Sequence, residues 1–291
     1  TLLLAIFSIF IYFLIYIYRK KIGEFLSVID HPNETRKIHT KPTPKTASYS
    51  IVIFLIFYLI LNLLNNFFDN SFNWVLVGTF LIFLVGFFDD KYKLSPVLKT
   101  IAISIITLLL CANSDSLLID KFYIKSLDFY FQLKIFSYIF TILCVLCLVN
   151  ALNLSDGING LAIGIIFFWL LYINQIYKYG LESIIIIILS NLILMFIHNY
   201  KGDHFLGDAG SLMLSGFVAF LIIWLHNKNI SHPSQVADAE TVLILFILPV
   251  IDMLRLLFER LLNKKNPAYG DNHHLHHYLI TINKVQEKLA E

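Results

Sequence analysis

Residues 2–18 read LLLAIFSIFIYFLIYIY, an unbroken apolar run that Arg19-Lys20-Lys21 follows directly. A run of this length is what an α-helix needs to cross the hydrocarbon layer of a bilayer. A basic triplet stands where a secretory signal would have small residues for cleavage. We therefore predict that the run is a spanning helix and not a signal peptide.

The rest of the chain repeats this pattern. It is 58% hydrophobic and only 14% charged. Lipid offers no partners to backbone groups, so apolar segments of this length are expected to be helices. The sequence predicts a single-domain (1–291), all-α, polytopic membrane protein. Its nine predicted spans are 2–18, 49–66, 74–88, 97–113, 134–149, 161–177, 182–198, 209–226 and 240–258. Because the chain starts at Thr1 and stops at Glu291, we expect ten or eleven spans in the complete protein.

The distribution of Lys and Arg predicts the orientation, because basic loop residues stay preferentially on the cytoplasmic side. Most of the 22 Lys and Arg residues fall on one side when the spans alternate, and the other side receives five: Lys121, Lys125, Lys134, Lys178 and Lys228. The predicted cytoplasmic segments are 19–48, 89–96, 150–160, 199–208 and 259–291. The outer segment 114–133 alternates polar and apolar residues, which indicates a small hairpin there.

The predicted cytoplasmic loops contain four polar clusters. The first is Asp89-Asp90, at the end of a span. Adjacent carboxylates at a membrane boundary are costly unless they are hydrated or paired with a cation. A metal, a base or a phosphate-handling role would explain them. A solvated loop is the alternative, since Lys91 and Lys93 follow.

The second cluster runs from Asn150 to Leu161 and contains Asn150, Asn153, Asp156, Gly157 and Asn159. Amide and carboxylate groups three residues apart share one side of a helix end. Gly157 and Gly160 allow backbone to approach a ligand closely. A plain connecting turn is the alternative.

The third cluster, Phe205-Leu206-Gly207-Asp208-Ala209-Gly210-Ser211, precedes an apolar span. Asp208 would stand where free backbone amides and a divalent cation could both meet phosphates. In isolation, an Asp near a helix start is more simply a cap.

The fourth cluster consists of His274, His276 and His277. These residues lack Cys or acidic partners at zinc spacing, which favours phosphate contact over a structural zinc site. Cys144 and Cys147 lie inside an apolar span and are expected to be packing residues.

Together the four clusters indicate a metal-assisted phosphoryl-transfer site at the cytoplasmic interface. The chain has no G-x-x-x-x-G-K-[ST] sequence that would indicate an ATPase.

The clusters, in this order, resemble the polyprenyl-phosphate N-acetylhexosamine-1-phosphate transferases, glycosyltransferase family 4. The similarity runs from about residue 30 to 280 and includes Asp30-x-Pro32-Asn33-x-x-Arg36-Lys37-x-His39. The Tyr269–His277 segment looks more like the enzymes that initiate surface polysaccharides than like phospho-MurNAc-pentapeptide transferase. The implied donor is UDP-GlcNAc or a related UDP-N-acetylhexosamine, and the sequence does not say which.

The resemblance implies a reaction. N-acetylhexosamine-1-phosphate would pass from a UDP-sugar to undecaprenyl phosphate, with release of UMP. Mg²⁺ would be required, and Mn²⁺ could replace it. The enzyme would lie in the bacterial cytoplasmic membrane with its site facing the cytoplasm. A homodimer is compatible with the family, although the sequence carries no signal for one.

The resemblance also implies roles for residues. Asp208 looks like the principal metal ligand, with Asp89 as a second. Asp89 or Asp90 looks like the group that meets the lipid phosphate, and the sequence does not say which. Asp156 looks like an acid of the core loop. The implied substrate contacts are Lys37, His39, Asn150, Asn153, Gly157, Asn159, Phe205, His274, His276 and His277.

Some positions depart from the family pattern, and other functions remain alternatives. The family often has paired glycines after Pro44, where this chain reads Lys45-Thr46-Ala47-Ser48-Tyr49-Ser50. Asn159 stands where many members carry Asp, and Asn199 is about one residue closer to Phe205 than usual. The alternatives are phospho-MurNAc-pentapeptide transfer and, from a different class, a lipid or ion transporter. A transporter would place its acids near the bilayer midplane.

Overall fold

The computed structural model describes residues 2–32, 41–66, 68–176, 180–229 and 238–263. This part of the chain forms nine α-helices in the predicted order. They are α1 (Leu2–Leu26), α2 (Tyr49–Asn65), α3 (Phe72–Tyr92), α4 (Pro96–Asn113), α5 (Ser137–Ser155), α6 (Leu161–Ile176), α7 (Glu182–Tyr200), α8 (Gly207–Asn229) and α9 (Ala239–Leu262). The predicted all-α polytopic architecture is confirmed.

Seven of these helices are long and apolar enough to cross a membrane. The other two, α2 and α6, are apolar but have 17 and 16 residues. At about 1.5 Å per residue they extend roughly 24 to 26 Å. They are therefore slightly shorter than the roughly 30 Å hydrocarbon layer.

The first helix extends beyond its predicted end at Tyr18 and continues to Leu26. Arg and Lys are good helix formers, so a charged segment need not end a helix. The Arg19 guanidinium also lies 4.1 Å from the Tyr16 ring centroid and donates a hydrogen bond to the Tyr16 carbonyl. Loss of hydrophobicity marks where the apolar surface ends, not where the helix ends.

Helix α8 is the centre of the bundle. Its apolar window is entirely buried, and it packs most extensively against the antiparallel helix α3. Small residues permit the close approach. A Cβ on Gly86 would overlap the carbonyl oxygen of Asp208, and one on Gly216 would lie 2.8 Å from Ile82 Cδ1. Close backbone approach at small residues is a common way for membrane helices to associate.

Buried amides link other helices. The Asn62 amide of α2 donates to Asn73 Oδ1 of α3 at 2.7 Å. The Asn191 amide of α7 donates to Ser8 Oγ of α1 at 2.8 Å. Such interhelical hydrogen bonds stabilise and orient helices that lipid surrounds.

Two short antiparallel strand pairs lie at opposite ends of the bundle. Strands β3 (Lys121–Ile124) and β4 (Phe129–Gln132) form a hairpin, which confirms the one predicted within 114–133. Strands β1 (Ile29–Asp30) and β2 (Thr43–Pro44) were not predicted. The β1–β2 pair leads directly into Lys45 and so brings this residue to the end of α3.

Candidate active site

Asp90 lies where the last turn of α3 meets the first turn of α8. Its Oδ1 accepts hydrogen bonds from the Lys45 ammonium and the Asp208 backbone amide, both at 3.1 Å. Its Oδ2 accepts from the Ala209 backbone amide at 2.8 Å. The Asp90 side chain is fully buried. Its carboxylate therefore provides two acceptors for the otherwise unbonded amides at the start of α8.

Lys45 provides positive charge at this junction. Its Nζ lies 3.1 Å from Asp90 Oδ1 and 3.9 Å from Asp30 Oδ1. Burial alone would lower the pKa of the Lys45 ammonium, but the carboxylates of Asp90, Asp208 and Asp30 raise it well above its ordinary value. Lys45 is therefore a permanent cation beside the acids.

The side chain of Asp208 is held by α5. Asn153 Nδ2 donates to Asp208 Oδ1 at 2.7 Å and also lies 2.8 Å from Ser211 Oγ. Asp208 is within electrostatic range of Asp89, Asp90 and Asp156. Asp208 is the acid to which the other three are all coupled.

Asp156 caps the carboxyl end of α5 and remains partly accessible to solvent. Burial, together with the carboxylates of Asp208 and Asp90, raises the pKa of Asp156 well above its ordinary value, and Lys45 offsets only part of this. The site therefore places Asp156 where its negative charge is disfavoured. A bound cation would relieve that repulsion.

Asp89 is the immediate neighbour of Asp90, but it pairs with a different helix. Its Oδ2 lies 2.7 Å from the Nζ of Lys99, in the first turn of α4. Successive residues point about 100° apart on a helix. The two acids of the pair therefore have different partners and different surroundings.

Hydrogen bonds also join the loops that border the site. Asn199 Oδ1 accepts from the Gly160 backbone amide at 2.6 Å, and Asn199 Nδ2 donates to the His204 carbonyl at 3.3 Å. The Phe205 amide donates to the Pro44 carbonyl at 2.9 Å, and the Ala47 amide donates to the Phe205 carbonyl at 3.2 Å. The segment before Asp208 is thus fixed to the segment that contains Lys45.

His204 lies beneath these loops and is fully buried. Its Nε2 is 2.9 Å from Thr46 Oγ1. Burial, followed by electrostatic interactions with Arg19 and His198, lowers the pKa of His204 to about 3. This histidine is neutral at physiological pH and contributes packing and a hydrogen bond to the loop.

The structure brings together most of the predicted residues that it describes. Asp89, Asp90, Asn153, Asp156 and Asp208 converge at one end of the bundle. The exposed Asn159 lies beside Gly202, and Gly157 is also exposed. The predicted contacts Lys37, His39, His274, His276 and His277 lie outside the described residues.

Asn150 and Phe205 have less direct relations to this cluster. The Asn150 amide donates to the Leu146 carbonyl of its own helix at 2.8 Å. That bond does not connect it to the acids. Phe205 is half-buried, and its backbone joins Pro44 and Ala47. Their roles as substrate contacts remain predictions.

Sequence analysis assigned no role to three residues of the site. Lys45 and Lys99 each pair with one acid of the Asp89-Asp90 motif, and Asn199 joins the two loops. Lys99 follows the acids closely in the sequence, so a search for cations within one helical turn of a span end would have found it. Lys45 depends on a contact between distant segments, which no local pattern indicates.

The acids suit a hard divalent cation. Within the described residues no group of three or more His, Cys, Asp or Glu side chains could hold a metal by itself. Mg²⁺, however, is usually bound by one or two carboxylates together with substrate phosphates and water. Asp208 and Asp156 offer such carboxylates, and their mutual repulsion is the charge that a cation would compensate.

These features define a polytopic membrane protein with a cluster of acids at one end of its helical bundle. The sequence profile of glycosyl transferase family 4 matches residues 72–226, which include the four acids. The chain belongs to glycosyl transferase family 4, and the resemblance inferred from its motifs is confirmed.

Bacterial relatives extend the similarity beyond the matched region. A Bacillus subtilis protein named probable undecaprenyl-phosphate N-acetylglucosaminyl 1-phosphate transferase is 28% identical over 268 residues, covering 90% of this chain and 72% of the relative. A Salmonella typhi protein named undecaprenyl-phosphate alpha-N-acetylglucosaminyl 1-phosphate transferase is 24% identical, covering 96% and 77%. The Escherichia coli K12 protein of the same name is 23% identical, covering 94% and 75%.

Proposed function

We propose that this protein transfers N-acetylglucosamine-1-phosphate from UDP-GlcNAc to undecaprenyl phosphate and releases UMP. The convergence of Asp89, Asp156 and Asp208 with two lysines at one end of an apolar bundle carries this proposal. The names of the relatives supply the lipid and the sugar phosphate. The UDP donor and the release of UMP follow from the resemblance of the motifs.

In the proposed reaction an oxygen of the lipid phosphate attacks the β-phosphorus of the UDP-sugar. A new P–O bond joins the lipid phosphate to the sugar phosphate, and the bond from the β-phosphorus to the bridging oxygen breaks. The bridging oxygen and its electron pair leave with UMP. A covalent aspartyl intermediate is the alternative route. Direct attack needs little base catalysis, because a phosphate monoester with a second pKa near 6 is already largely ionised at neutral pH.

Asp208 and Asp156 would hold Mg²⁺ together with substrate phosphates, and Mn²⁺ could replace it. When bound, the ion would neutralise charge on the diphosphate. The chain's own groups would do the rest. Asn153 orients the Asp208 carboxylate at 2.7 Å, Lys45 compensates the buried charge of Asp90, and Lys99 supplies fixed positive charge. Asp89, which pairs with Lys99, is the acid that we assign to the lipid phosphate.

An apolar groove offers a place for the polyprenyl chain. A cavity of about 770 Å³ lies between α6 and α9, with Ser155 and Asp252 among its polar lining residues. Ser155 immediately precedes Asp156, so the groove reaches the acidic end of the bundle. A lipid tail in this groove would bring its phosphate toward the site.

The position of the acids favours a transferase over a transporter. Asp89 and Asp90 lie in the last turn of α3, and Asp208 lies in the first turn of α8. A transporter was expected to place its acids near the midplane. We propose instead a single transferase domain in the bacterial cytoplasmic membrane with its acidic end in the cytoplasm. A homodimer remains a prediction of the family resemblance.

The experiment that tests the function is UMP release by purified protein in detergent. Undecaprenyl phosphate, Mg²⁺ and a panel of UDP-sugars would be supplied, with reactions lacking lipid or containing EDTA beside them. We expect UMP only with lipid and metal, and fastest with UDP-GlcNAc. Folded protein that releases no UMP with any donor would contradict the proposal, and a preference for UDP-MurNAc-pentapeptide would move it to the alternative substrate.

A further inference from the structure

The two acids of the Asp89-Asp90 motif differ in how much of each carboxylate is free. The Asp90 side chain is 0% exposed, and the Lys45 ammonium and the amides of Asp208 and Ala209 bond to both of its oxygens. Asp89 Oδ2 pairs with Lys99, and the Asp89 side chain keeps 6% exposure. Asp90 is therefore committed to protein groups, whereas Asp89 retains some access.

The start of α8 depends on Asp90. Leu206 precedes the helix and has no polar side chain that could cap it. Asp90, from another helix, takes that role with two charge-assisted hydrogen bonds. Gly207 has a φ of +70°, and a Cβ there would lie 2.7 Å from Asp90 Oδ2 and 2.9 Å from Lys45 Cβ. Glycine at 207 is what allows the carboxylate to reach the amides.

This contact fixes the residue that matters most for the proposed reaction. Asp90 binds the backbone amide of Asp208 itself, while Asn153 holds the Asp208 side chain. Lys45 compensates the buried charge of Asp90 and also interacts with Asp208. A change at Asp90 would displace Asp208 without removing any group that faces a ligand.

We infer that Asp90 is a positioning residue, which sets the place of Asp208 through the first turn of α8 and its ion pair with Lys45, and that it contacts neither substrate. The inference rests on the proposed function, because it assigns work within that site. It separates two adjacent acids to which the sequence gives equal standing.

The test is a double-mutant cycle of Asp90→Asn and Lys45→Met, measured as transfer activity and thermal unfolding of the full chain in detergent. Each single change leaves part of a buried ion pair uncompensated, so we expect each to lower activity about 100-fold and to lower the melting temperature. The double variant removes the pair together. It should be about tenfold more active than Asp90→Asn alone and should melt at a higher temperature than either single variant.

A kinetic comparison separates positioning from ligand contact. In Asp90→Asn we expect kcat to fall while the KM values for undecaprenyl phosphate and UDP-GlcNAc stay within about threefold of wild type. Asp89→Asn should instead raise the KM for the lipid phosphate. Asp69→Asn with Lys228→Met, an ion pair at the other end of α3 and α8, is the matched control and should leave activity within about twofold.

Two results would overturn the inference. One is a folded double variant no more active than Asp90→Asn, and the other is a KM for the lipid phosphate that rises more than tenfold in Asp90→Asn. Inactive wild-type protein would instead reject the proposed function. The unfolding cycle would then decide the inference alone, and additive losses of stability would contradict it.

Discussion

The two ends of the antiparallel pair α3 and α8 carry similar residues in different balance. At the acidic end two lysines, Lys45 and Lys99, lie among five carboxylates of the described chain: Asp30, Asp89, Asp90, Asp156 and Asp208. At the other end Asp69 Oδ2 pairs with Lys228 Nζ at 2.6 Å, and Trp224 Nε1 donates to Ser71 Oγ at 2.8 Å. One end pairs its charges and the other leaves carboxylate in excess.

Polar side chains near the β3–β4 hairpin, beside the paired end, also have hydrogen-bond partners. Glu240 accepts hydrogen bonds from the Lys125 and Ser126 backbone amides at 2.8 and 2.9 Å. The Asn227 amide donates to the Leu118 carbonyl at 3.0 Å. Both of these side chains bond to backbone groups. Unpaired carboxylate charge, and not charge itself, therefore distinguishes the acidic end of α3 and α8 from their opposite end.

The largest expected effect comes from Asp208. The substitution Asp208→Asn keeps an oxygen to accept the Asn153 hydrogen bond but removes the charge at the centre of the acidic cluster. Because preorganised charge is among the largest contributions to catalysis, we expect transfer to fall at least about 1000-fold. Thermal unfolding should show no loss of stability. A folded variant that retains a tenth of wild-type activity would remove Asp208 from the proposed mechanism.

The second prediction concerns Asp156 at the acidic end. Removing its charge should raise the melting temperature, whereas removing the charge of Asp69 at the paired end should lower it. A carboxylate whose pKa is raised destabilises the folded state at pH values above the unfolded pKa. Asp156→Asn should therefore raise the melting temperature at pH 7 while it lowers transfer about 100-fold. The contrast sharpens if the melting temperature is measured without Mg²⁺, since a bound cation would already relieve the repulsion. A lower melting temperature in the variant would argue against excess charge at this end.

The third prediction concerns His204, in the loop beneath the site. The folded pKa of His204 is about 3, below its ordinary value of 6.5. The unfolded chain therefore takes up a proton that the folded chain excludes. The stability that neutral His204 contributes is complete above pH 6.5 and is lost as the pH falls from 6.5 toward 3. At pH 5.5 the loss amounts to about 1.4 kcal/mol.

Thermal unfolding of wild type and His204→Gln at several pH values measures this effect. Glutamine can keep a hydrogen bond to Thr46 but cannot titrate. We expect the wild-type protein to lose more stability than the variant between pH 7 and 5.5. If stability changed with pH equally in the two proteins, His204 would not take up a proton on unfolding.

The smallest effect is expected at the paired end. Asp69 and Lys228 are partly exposed, at 32% and 26% of their side chains. Such ion pairs contribute less than about 1 kcal/mol. Asp69→Asn should lower stability by no more than that and leave transfer within about twofold of wild type. If activity fell tenfold, the division of the bundle into a paired end and an active end would fail.

The sequence predicted the helices and the positions of the acids better than it predicted the contacts that the acids make. Apolar runs located all nine described helices, and period-two alternation located the hairpin within 114–133. The positions of the acids at span ends predicted their convergence. These features follow from local periodicity and from the alternation of spans across a bilayer, which short-range sequence patterns record.

The partners of the acids could not be predicted in the same way. Lys45 reaches Asp90 only because β1 and β2 pair and because the segment after β2 joins Phe205. Asn199 joins Gly160 across two helices. The separate roles of Asp89 and Asp90 depend on the direction of each side chain from α3. Contacts of this kind arise from tertiary packing.

The central claim is that the acidic end transfers a sugar phosphate and not a sugar alone. The most direct test supplies UDP-GlcNAc labelled with ³²P at the β-phosphate, together with undecaprenyl phosphate and Mg²⁺, and follows the label. We predict that the label enters the lipid fraction in equal amount to the UMP released, and that Asp208→Asn abolishes both. Label that stays in water-soluble UDP while the sugar reaches the lipid would contradict the account.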